Sequence, residues 1–300
     1  MAYLATRTWE PGAANRQLPP RTPPASLAAS PGPSRARAAP DGRPVALVIH
    51  GITSSSRTWW QVAPSLASRG FRVVGVDLRG HGGSPPIEHG LTLADLAADV
   101  AETVELTVGR PVDLLVAHSL GALVTLELLR EGHRLAERLA LEDPPGPSGI
   151  DWVGLADGIE QDSARARDDP DGLRRQLAAE NPTWPPYEVE RQIADLSEMD
   201  AAAIAAALRG GQGMTYDLIA LARTATVPTL LLLGEEALGS NLIDGDRAAF
   251  LAALPDPTTR VLPAGHSVHR EALGAFLASI DQWLAPDSRP GRRREGQGSR

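Results

Sequence analysis

Residues 117–121, Ala-His-Ser-Leu-Gly, join a strand-like run to a helix-like run. The preceding residues 112–116 have the apolar composition of a buried strand, and apolar residues recur at helical spacing across 120–129. Ser119 is therefore predicted to lie at a strained strand-to-helix turn, which projects its hydroxyl out of the sheet and leaves room only for small residues two positions away. Such a turn presents a nucleophile, but a buried serine in the strand–helix loop of any α/β protein fits these five residues equally well. Other segments of the chain have to decide between the two interpretations.

The composition of the chain narrows the classes of protein to consider. Its 300 residues, 42% of them hydrophobic, suffice for the core of one large α/β domain that carries an insertion. A formal net charge of −8 argues against a nucleic-acid partner, because phosphate contacts need a basic surface. The absence of cysteine excludes disulfides, thiolate nucleophiles and cysteine-ligated zinc. Without a run of about 18 apolar residues or a secretory signal pattern, we expect a cytoplasmic protein with no membrane partner and a small-molecule substrate.

Strand-like and helix-like runs alternate from residue 45 onward, which predicts a doubly wound, mostly parallel sheet of the α/β class. The predicted strands are 45–49, 72–77, 112–117, 138–142, 229–233 and 259–262, and the predicted helices are 58–69, 92–107, 120–131, 244–254 and 271–284. The alternation stops over 144–227, where helical patterns dominate. We therefore expect an α/β core, residues 45–143 and 228–285, interrupted by a helical insertion over 144–227.

Both ends of the chain depart from this regular pattern. Residues 11–44 are rich in Pro, Ala, Arg and Ser, so they cannot form continuous helix or central strand and are predicted to be a disordered insertion. Residues 1–10 are predicted to hold a short edge strand before it. The polar, Arg-rich residues 286–300 are predicted to be a disordered tail.

A candidate base for the serine follows the last predicted strand. A serine hydroxyl is a weak nucleophile unless a base removes its proton. His266, preceded by Gly265, lies between the strand 259–262 and the final helix, at the sheet edge where the carboxyl ends of parallel strands collect functional groups. His269 is the neighbour that could be confused with it, and the spacing to Gly265 and Glu271 favours His266.

With these motifs the chain resembles the α/β-hydrolase superfamily of serine hydrolases, and the resemblance covers residues 45–285. It rests on four motifs in order along the chain: His50-Gly51-Ile52, the Asp-Leu-Arg-Gly-His-Gly-Gly-Ser run at 77–84, the serine turn at 117–121, and Gly265-His266. The resemblance implies a sheet with a helical cap, here 144–227, over the active site. It also implies that no cofactor is needed.

The resemblance assigns roles to individual residues. Ser119 corresponds to the nucleophile and His266 to the general base. The backbone N–H groups of Ile52 and Leu120 correspond to the two donors of the oxyanion hole. Removing one such donor typically lowers turnover by about 10²–10³-fold. His50 most often has a structural role beside the oxyanion loop in such proteins. No carboxylate–histidine spacing of a metal site accompanies these residues, so no metal is expected.

The carboxylate that would orient the base is where the sequence departs from the family pattern. Many members carry Gly-x-x-Asp after the strand that follows the cap, but residues 234–237, Gly-Glu-Glu-Ala, place alanine at that Asp. Glu235 is near enough to substitute. Glu142 instead matches the placement after the earlier strand that branches such as haloalkane dehalogenases use. We weigh Glu235 and Glu142 equally, ahead of Asp143 and Glu236.

Large side chains in the cap and near the oxyanion loop are candidates to line a substrate pocket, although core packing is the commoner role for any one of them. The candidates for substrate contact are His50, Gly51, Trp59, Trp152 and Trp184, with Trp60 and Tyr216.

The resemblance implies an esterase-like serine hydrolase that cleaves an ester, thioester or lactone of a small apolar substrate through an acyl-enzyme on Ser119. Two alternatives stay open. One is a carbon–carbon bond hydrolase or cofactor-free lyase with the same triad, and the other is a ligand-binding scaffold with weakened catalysis. The sequence indicates no oligomeric state.

Overall fold

Seven strands form one sheet in the spatial order β1-β3-β2-β4-β5-β6-β7. The computed structural model describes residues 2–12, 42–210 and 215–285. The strands are β1 Thr6–Trp9, β2 Val45–Ile49, β3 Arg72–Val76, β4 Leu114–His118, β5 Leu139–Glu142, β6 Thr229–Gly234 and β7 Thr258–Leu262. All neighbours are parallel except the edge strand β1, which runs antiparallel to β3. The predicted doubly wound, mostly parallel sheet is confirmed.

Helices cover both faces of the sheet. Their bounds are α1 Val62–Ser68, α2 Leu93–Thr107, α3 Leu120–Arg130, α4 Trp152–Asp168, α5 Pro170–Glu180, α6 Pro186–Glu198, α7 Ala201–Arg209, α8 Leu218–Ala222, α9 Asp244–Ala253, α10 Val268–Glu271 and α11 Leu273–Leu284. Alternate strand residues face opposite sides, so Leu47 packs in the cluster that includes α2 and α3, whereas Val48 packs in the cluster with α1 and α11. Burial on both faces explains why the inner strands β2 to β6 read as continuous apolar runs.

The helices α4 to α8 all lie between β5 and β6, where the sequence predicts a helical insertion. Asp151 and Asp169 begin α4 and α5 by accepting hydrogen bonds from the N–H groups of Gly154 and Gly172. The helix α6 contacts a 3-10 turn at Ser56–Trp60 that follows β2. The insertion is thereby attached to the carboxyl edge of the sheet.

Several element bounds differ from the sequence-based ones. The helix predicted over 58–69 is the 3-10 turn followed by α1, and the strand predicted from residue 112 begins at Leu114 because Val112 makes only an isolated bridge to Ala136. Residues 13–41, most of the predicted disordered insertion, and the predicted tail 286–300 lie outside the described residues. Among the helices that the structure describes, none is both long and apolar enough to cross a bilayer.

Candidate active site

Ser119 immediately follows β4 and precedes α3, at a turn with a strained backbone. Its φ of 51° and ψ of −117° place this non-glycine residue in a sparsely populated region. Small neighbours are required because the turn passes close to β2: a Cβ at Gly121 would lie 2.6 Å from the carbonyl oxygen of Ile49. The turn therefore holds the serine hydroxyl at the carboxyl edge of the sheet.

His266 connects this hydroxyl to a buried carboxylate. Its Nε2 lies 2.9 Å from Ser119 Oγ, and its Nδ1 lies 2.8 Å from Asp143 Oδ2. The loop that carries the histidine is held by Glu271, whose carboxylate accepts the N–H groups of Gly265 at 2.6 Å and Ser267 at 3.2 Å. Imidazole, hydroxyl and carboxylate thus form one hydrogen-bonded chain of the kind that activates a serine.

Asp143 is fully buried and has partners besides the histidine. Oδ1 accepts hydrogen bonds from Ser240 Oγ at 2.6 Å and from the N–H of Gly234 at 3.1 Å, and Oδ2 accepts the N–H of Asn241 at 2.9 Å. These donors compensate a carboxylate that burial would otherwise penalise. The carboxylate is consequently fixed in the orientation that meets the imidazole.

The backbone N–H groups of Ile52 and Leu120 border the same space as Ser119. Leu120 begins α3, so its N–H has no acceptor within the helix. Within residues 2–12, 42–210 and 215–285, the N–H of Ile52 likewise has no acceptor. Two unpaired donors beside a serine hydroxyl can stabilise an oxyanion.

Two buried histidines shape the loop that carries Ile52. His50 donates from Nδ1 to the carbonyl oxygen of Gly51 at 2.7 Å and accepts the N–H of Leu78 at Nε2, 2.9 Å away. Burial, followed by the nearby charge of His81, lowers the pKa of His50 to about 3, so its ring is neutral and can accept at Nε2. The other ring, His81, donates from Nε2 to the carbonyl oxygen of Ile52 at 2.7 Å.

A cavity of about 310 Å³ opens in front of Ser119. The sheet edge and the inserted helices both contribute to its walls. Its lining residues include Gly51, Ile52, Thr53, Ser54, Leu123, Pro145, Ile150, Trp152, Leu155, Tyr216, Asn241 and Arg270. Most of this wall is apolar, and in the part of the chain that the structure describes no three His, Asp or Glu side chains are grouped as metal ligands.

The match to a protein-family model decides the family. Residues 46–279, most of the chain, match the model described as the alpha/beta hydrolase family. The chain belongs to the α/β-hydrolase family. This membership confirms the resemblance seen in the sequence motifs and makes the protein a hydrolase.

Relatives of this hydrolase cleave several kinds of bond. It is 28% identical to 2-(acetamidomethylene)succinate hydrolase from Mesorhizobium japonicum, and the match covers 80% of this chain and 88% of that protein. It is 29% identical to RutD of Variovorax paradoxus, which is named as a candidate carbamate hydrolase, and the match covers 84% of this chain and 95% of that protein. Among solved structures, N-formylmaleamic acid deformylase of Pseudomonas putida S16 has 26% identity and a TM-score of 0.64, with 81% of this chain and 93% of that chain covered.

The prediction that Glu142 or Glu235 orients the base of this hydrolase is corrected by the geometry. Glu142 is the last residue of β5 and points away from His266, because side chains alternate along a strand. Its carboxylate instead accepts the backbone N–H of His269 at 2.8 Å and contacts Nδ1 of that ring at 2.9 Å. Asp143, one residue further, has a φ of 39° and turns its carboxylate into the site.

Glu235 and Glu236 lie in the loop after β6 and do not reach His266. Glu235 is exposed and contacts the His266 segment only through its backbone N–H, which donates to the carbonyl oxygen of Ala264 at 2.8 Å. Glu236 pairs with Arg247 at 3.2 Å. The same loop does hold the carboxylate of Asp143 in place, since its Ser240 hydroxyl donates a hydrogen bond to it.

The structure divides the predicted substrate-contact residues into two groups. Gly51 and Trp152 line the cavity, together with Tyr216. His50, Trp59 and Trp184 do not line it: His50 contacts the carbonyl oxygen of Gly51 in the loop that carries Ile52, the Trp59 ring packs 4.6 Å from His269, and the Trp184 ring lies 4.7 Å from the Arg270 guanidinium. Arg270 and Ser54 line the cavity and were missed by the sequence interpretation.

Proposed function

We propose that this hydrolase cleaves an ester, thioester or lactone of a small molecule through an acyl-enzyme on Ser119. The observation that carries the proposal is the hydrogen-bonded chain from Ser119 Oγ through His266 to Asp143, at 2.9 and 2.8 Å. A carboxylate completes the set that the sequence left open, which argues against a binding scaffold without catalysis.

The first half of the reaction forms the acyl-enzyme. His266 accepts the hydroxyl proton at Nε2 while Ser119 Oγ attacks the substrate carbonyl carbon. Asp143 accepts the Nδ1–H of the same ring, which fixes the tautomer and stabilises the imidazolium that forms. His266 then gives its proton to the leaving alcohol or thiol as the bond to the acyl carbon breaks.

The second half releases the acid. Water takes the place of the leaving group, loses a proton to His266 and attacks the acyl carbon, after which the proton returns to Ser119 Oγ. In both tetrahedral intermediates the negative oxygen would accept hydrogen bonds from the N–H groups of Ile52 and Leu120. Because these donors belong to the backbone of a loop and a helix start, they require little reorganisation during the reaction.

The inserted helices form the cap that limits the substrate in this proposal. Trp152 and Leu155 of α4, with Ile150 just before it, contribute apolar wall to a cavity of about 310 Å³. That volume lies at the lower end of the range for small-molecule pockets. A short substrate with apolar parts fits this space better than a long-chain lipid.

Amide or carbamate cleavage is the second candidate, and the names of the relatives favour it. A 2-(acetamidomethylene)succinate hydrolase, a deformylase and a candidate carbamate hydrolase all match more than three quarters of the chain. The same residues would act, with His266 protonating a leaving nitrogen in place of an oxygen. Turnover on matched esters and amides of one acid distinguishes the two candidates.

A fluorophosphonate probe tests the nucleophile directly. Intact-mass measurement should show one adduct on the wild-type protein and none on Ser119→Ala, because only an activated serine reacts. A panel of acyl esters, thioesters, lactones and amides of graded length then identifies the bond cleaved. Absence of an adduct on the wild type would overturn the proposal.

A further inference from the structure

A buried arginine lines the cavity a few residues after the proposed base. Arg270 belongs to α10, its side chain is 4% exposed, and its guanidinium reaches the loop that follows the oxyanion donor Ile52. Nη2 donates to Ser54 Oγ at 2.7 Å and to Thr58 Oγ1 at 2.9 Å. A buried arginine whose ion-pair partner is the buried Glu188 therefore borders a mostly apolar cavity.

The guanidinium is held in place from several sides. Nη1 donates to Gln192 Oε1 at 2.7 Å, Nε lies 2.9 Å from Glu188 Oε1, and the Trp184 ring lies 4.7 Å away. These partners belong to the cap, so the arginine also joins α6 to the core. They position the group rigidly and, with Ser54 and Thr58, occupy four of its five N–H groups, so one Nη1–H remains for a ligand.

Ser54 supplies an unpaired donor next to this cation. The residue is 5% exposed, and its Oγ accepts from Arg270, so its own proton remains to be donated. In the part of the chain that the structure describes, that hydroxyl has no acceptor. A buried donor without an acceptor is costly unless a ligand or water accepts from it. Both Ser54 and Arg270 line the cavity.

The neighbouring hydroxyl of Thr58 differs from that of Ser54. His269 contacts Glu142 through Nδ1, so its Nε2 accepts from Thr58 Oγ1, 2.8 Å away. The Thr58 proton is thereby used, and its oxygen accepts from Arg270. Of the two hydroxyls on the guanidinium, only the one that lines the cavity keeps a free proton.

We propose that Arg270 and Ser54 bind a carboxylate of the substrate, so that the preferred substrates are monoesters of short dicarboxylic acids. The inference rests on the proposed function and names its substrate class. Ser54 is two residues from Ile52, so the carboxylate would lie on the order of 5–7 Å from the oxyanion site. The outer oxygens of an extended succinate monoester can span the shorter part of that range.

Two esters of equal size test the inference. Monomethyl succinate carries a carboxylate where methyl 4-methylpentanoate carries an isopropyl group. The ratio of their kcat/KM values therefore reports the effect of the charge. We expect the wild type to prefer the succinate ester by about 10- to 150-fold, the range for one hydrogen bond to a charged group. The same ratio is then measured in variants.

The double variant Arg270→Met, Glu188→Gln removes both charges of the pair without leaving either one buried alone. The preference should fall to near unity, whereas Arg270→Lys should retain part of it and Ser54→Ala should lower it by a smaller factor. Arg57→Met is the matched control: Arg57 also joins the core to α6, through Asp195 and Glu198, but does not line the cavity. Its ratio should equal that of the wild type.

The outcomes separate the inference from the function on which it rests. A wild type that reacts with the fluorophosphonate but shows no preference for the succinate ester overturns the carboxylate site alone. So does a double variant that keeps the preference, or an Arg57→Met variant that loses it equally, since the effect would then come from the cap–core contact. A wild type that neither reacts with the probe nor cleaves either ester overturns both.

Discussion

Two histidine–carboxylate pairs lie side by side at the carboxyl edge of the sheet, and only one of them meets a serine. His266 pairs with Asp143 and has a side chain that is 24% exposed toward the cavity, whereas His269 pairs with Glu142 and is 1% exposed. The acids are consecutive and the histidines three residues apart. Residue types and spacing thus bring such pairs together, while the direction of each side chain decides which pair can react.

The third partner of each histidine explains the difference. Nε2 of His266 faces the Ser119 hydroxyl, which lies on a strained turn beside two unpaired backbone donors. Nε2 of His269 faces Thr58, whose oxygen is already occupied by Arg270. The first pair can move a proton to a substrate. The second is buried in the core and has no access to a substrate.

Breaking the first pair should have the largest effect. We expect Asp143→Asn to lower turnover by about 10⁴-fold, because the amide no longer favours the His266 tautomer that accepts the Ser119 proton. Steady-state kinetics on the best ester of the panel measures the loss. A decrease smaller than tenfold in a folded protein would show that another group orients the base.

Breaking the second pair should lower the stability of the protein and leave its catalysis largely unchanged. Glu142→Gln replaces the charged acceptor of the His269 backbone N–H and ring N–H by a neutral one, and we expect the free energy of unfolding to fall by about 1.5–3 kcal/mol. Urea denaturation followed by circular dichroism measures this loss. The folded fraction should keep turnover within about tenfold of the wild type, and a loss as large as that of Asp143→Asn would mean that the two pairs act as one.

A third buried carboxylate, Asp195 of α6, allows a test that depends on pH. Burial raises the pKa of Asp195 to about 6, although the Ser55 hydroxyl and the Arg57 charge oppose the shift. The folded state thus binds this proton more tightly than the unfolded chain, so the group's contribution to stability declines as pH rises from about 4 to about 6. The decline amounts to about 3 kcal/mol.

Asp195→Asn removes this titration while keeping the shape of the side chain. The stability of the variant relative to the wild type should therefore increase between pH 4 and pH 7. The urea denaturation midpoints of both proteins at several pH values measure this difference in stability. The contributions of the other titrating groups are common to both proteins and cancel. A flat difference would show that Asp195 titrates alike in the folded and unfolded states.

The smallest effect is expected at Glu235, the predicted substitute for the missing acid in the loop after β6. Glu235→Gln should leave turnover unchanged and shift the free energy of unfolding by no more than about 0.5 kcal/mol, because the side chain is exposed. Steady-state kinetics and urea denaturation of this variant, measured in parallel with Asp143→Asn, check both expectations. Strong loss of turnover would restore Glu235 as a candidate.

The sheet was predictable because its strands are short apolar runs separated by helices of clear periodicity. The positions of Ser119 and His266 in the fold were predictable for the same reason, because each follows a strand within a recognisable motif. The choice of acid failed by one residue, from Glu142 to Asp143, because spacing after a strand does not show where the strand ends. One step along a strand reverses the direction of the side chain.

A signal for the correct acid was nevertheless present in the strand register. His118 and Glu142 are paired in the parallel ladder between β4 and β5, so the next residue on each strand, Ser119 and Asp143, reaches the sheet edge side by side. Both have positive φ, at 51° and 39°. Counting from the serine along the neighbouring strand therefore identifies Asp143. The Arg270 contacts could not be inferred in this way, because they depend on how α6 packs on the core.

The rate at which a fluorophosphonate labels Ser119 in the wild type, Asp143→Asn and Glu142→Gln compares the two pairs most directly. The probe reports the reactivity of the serine without requiring the natural substrate. We expect labelling to slow by orders of magnitude in Asp143→Asn and to stay near the wild-type rate in folded Glu142→Gln. Labelling that is normal in Asp143→Asn and lost in Glu142→Gln would contradict the assignment of the His266–Asp143 pair to catalysis.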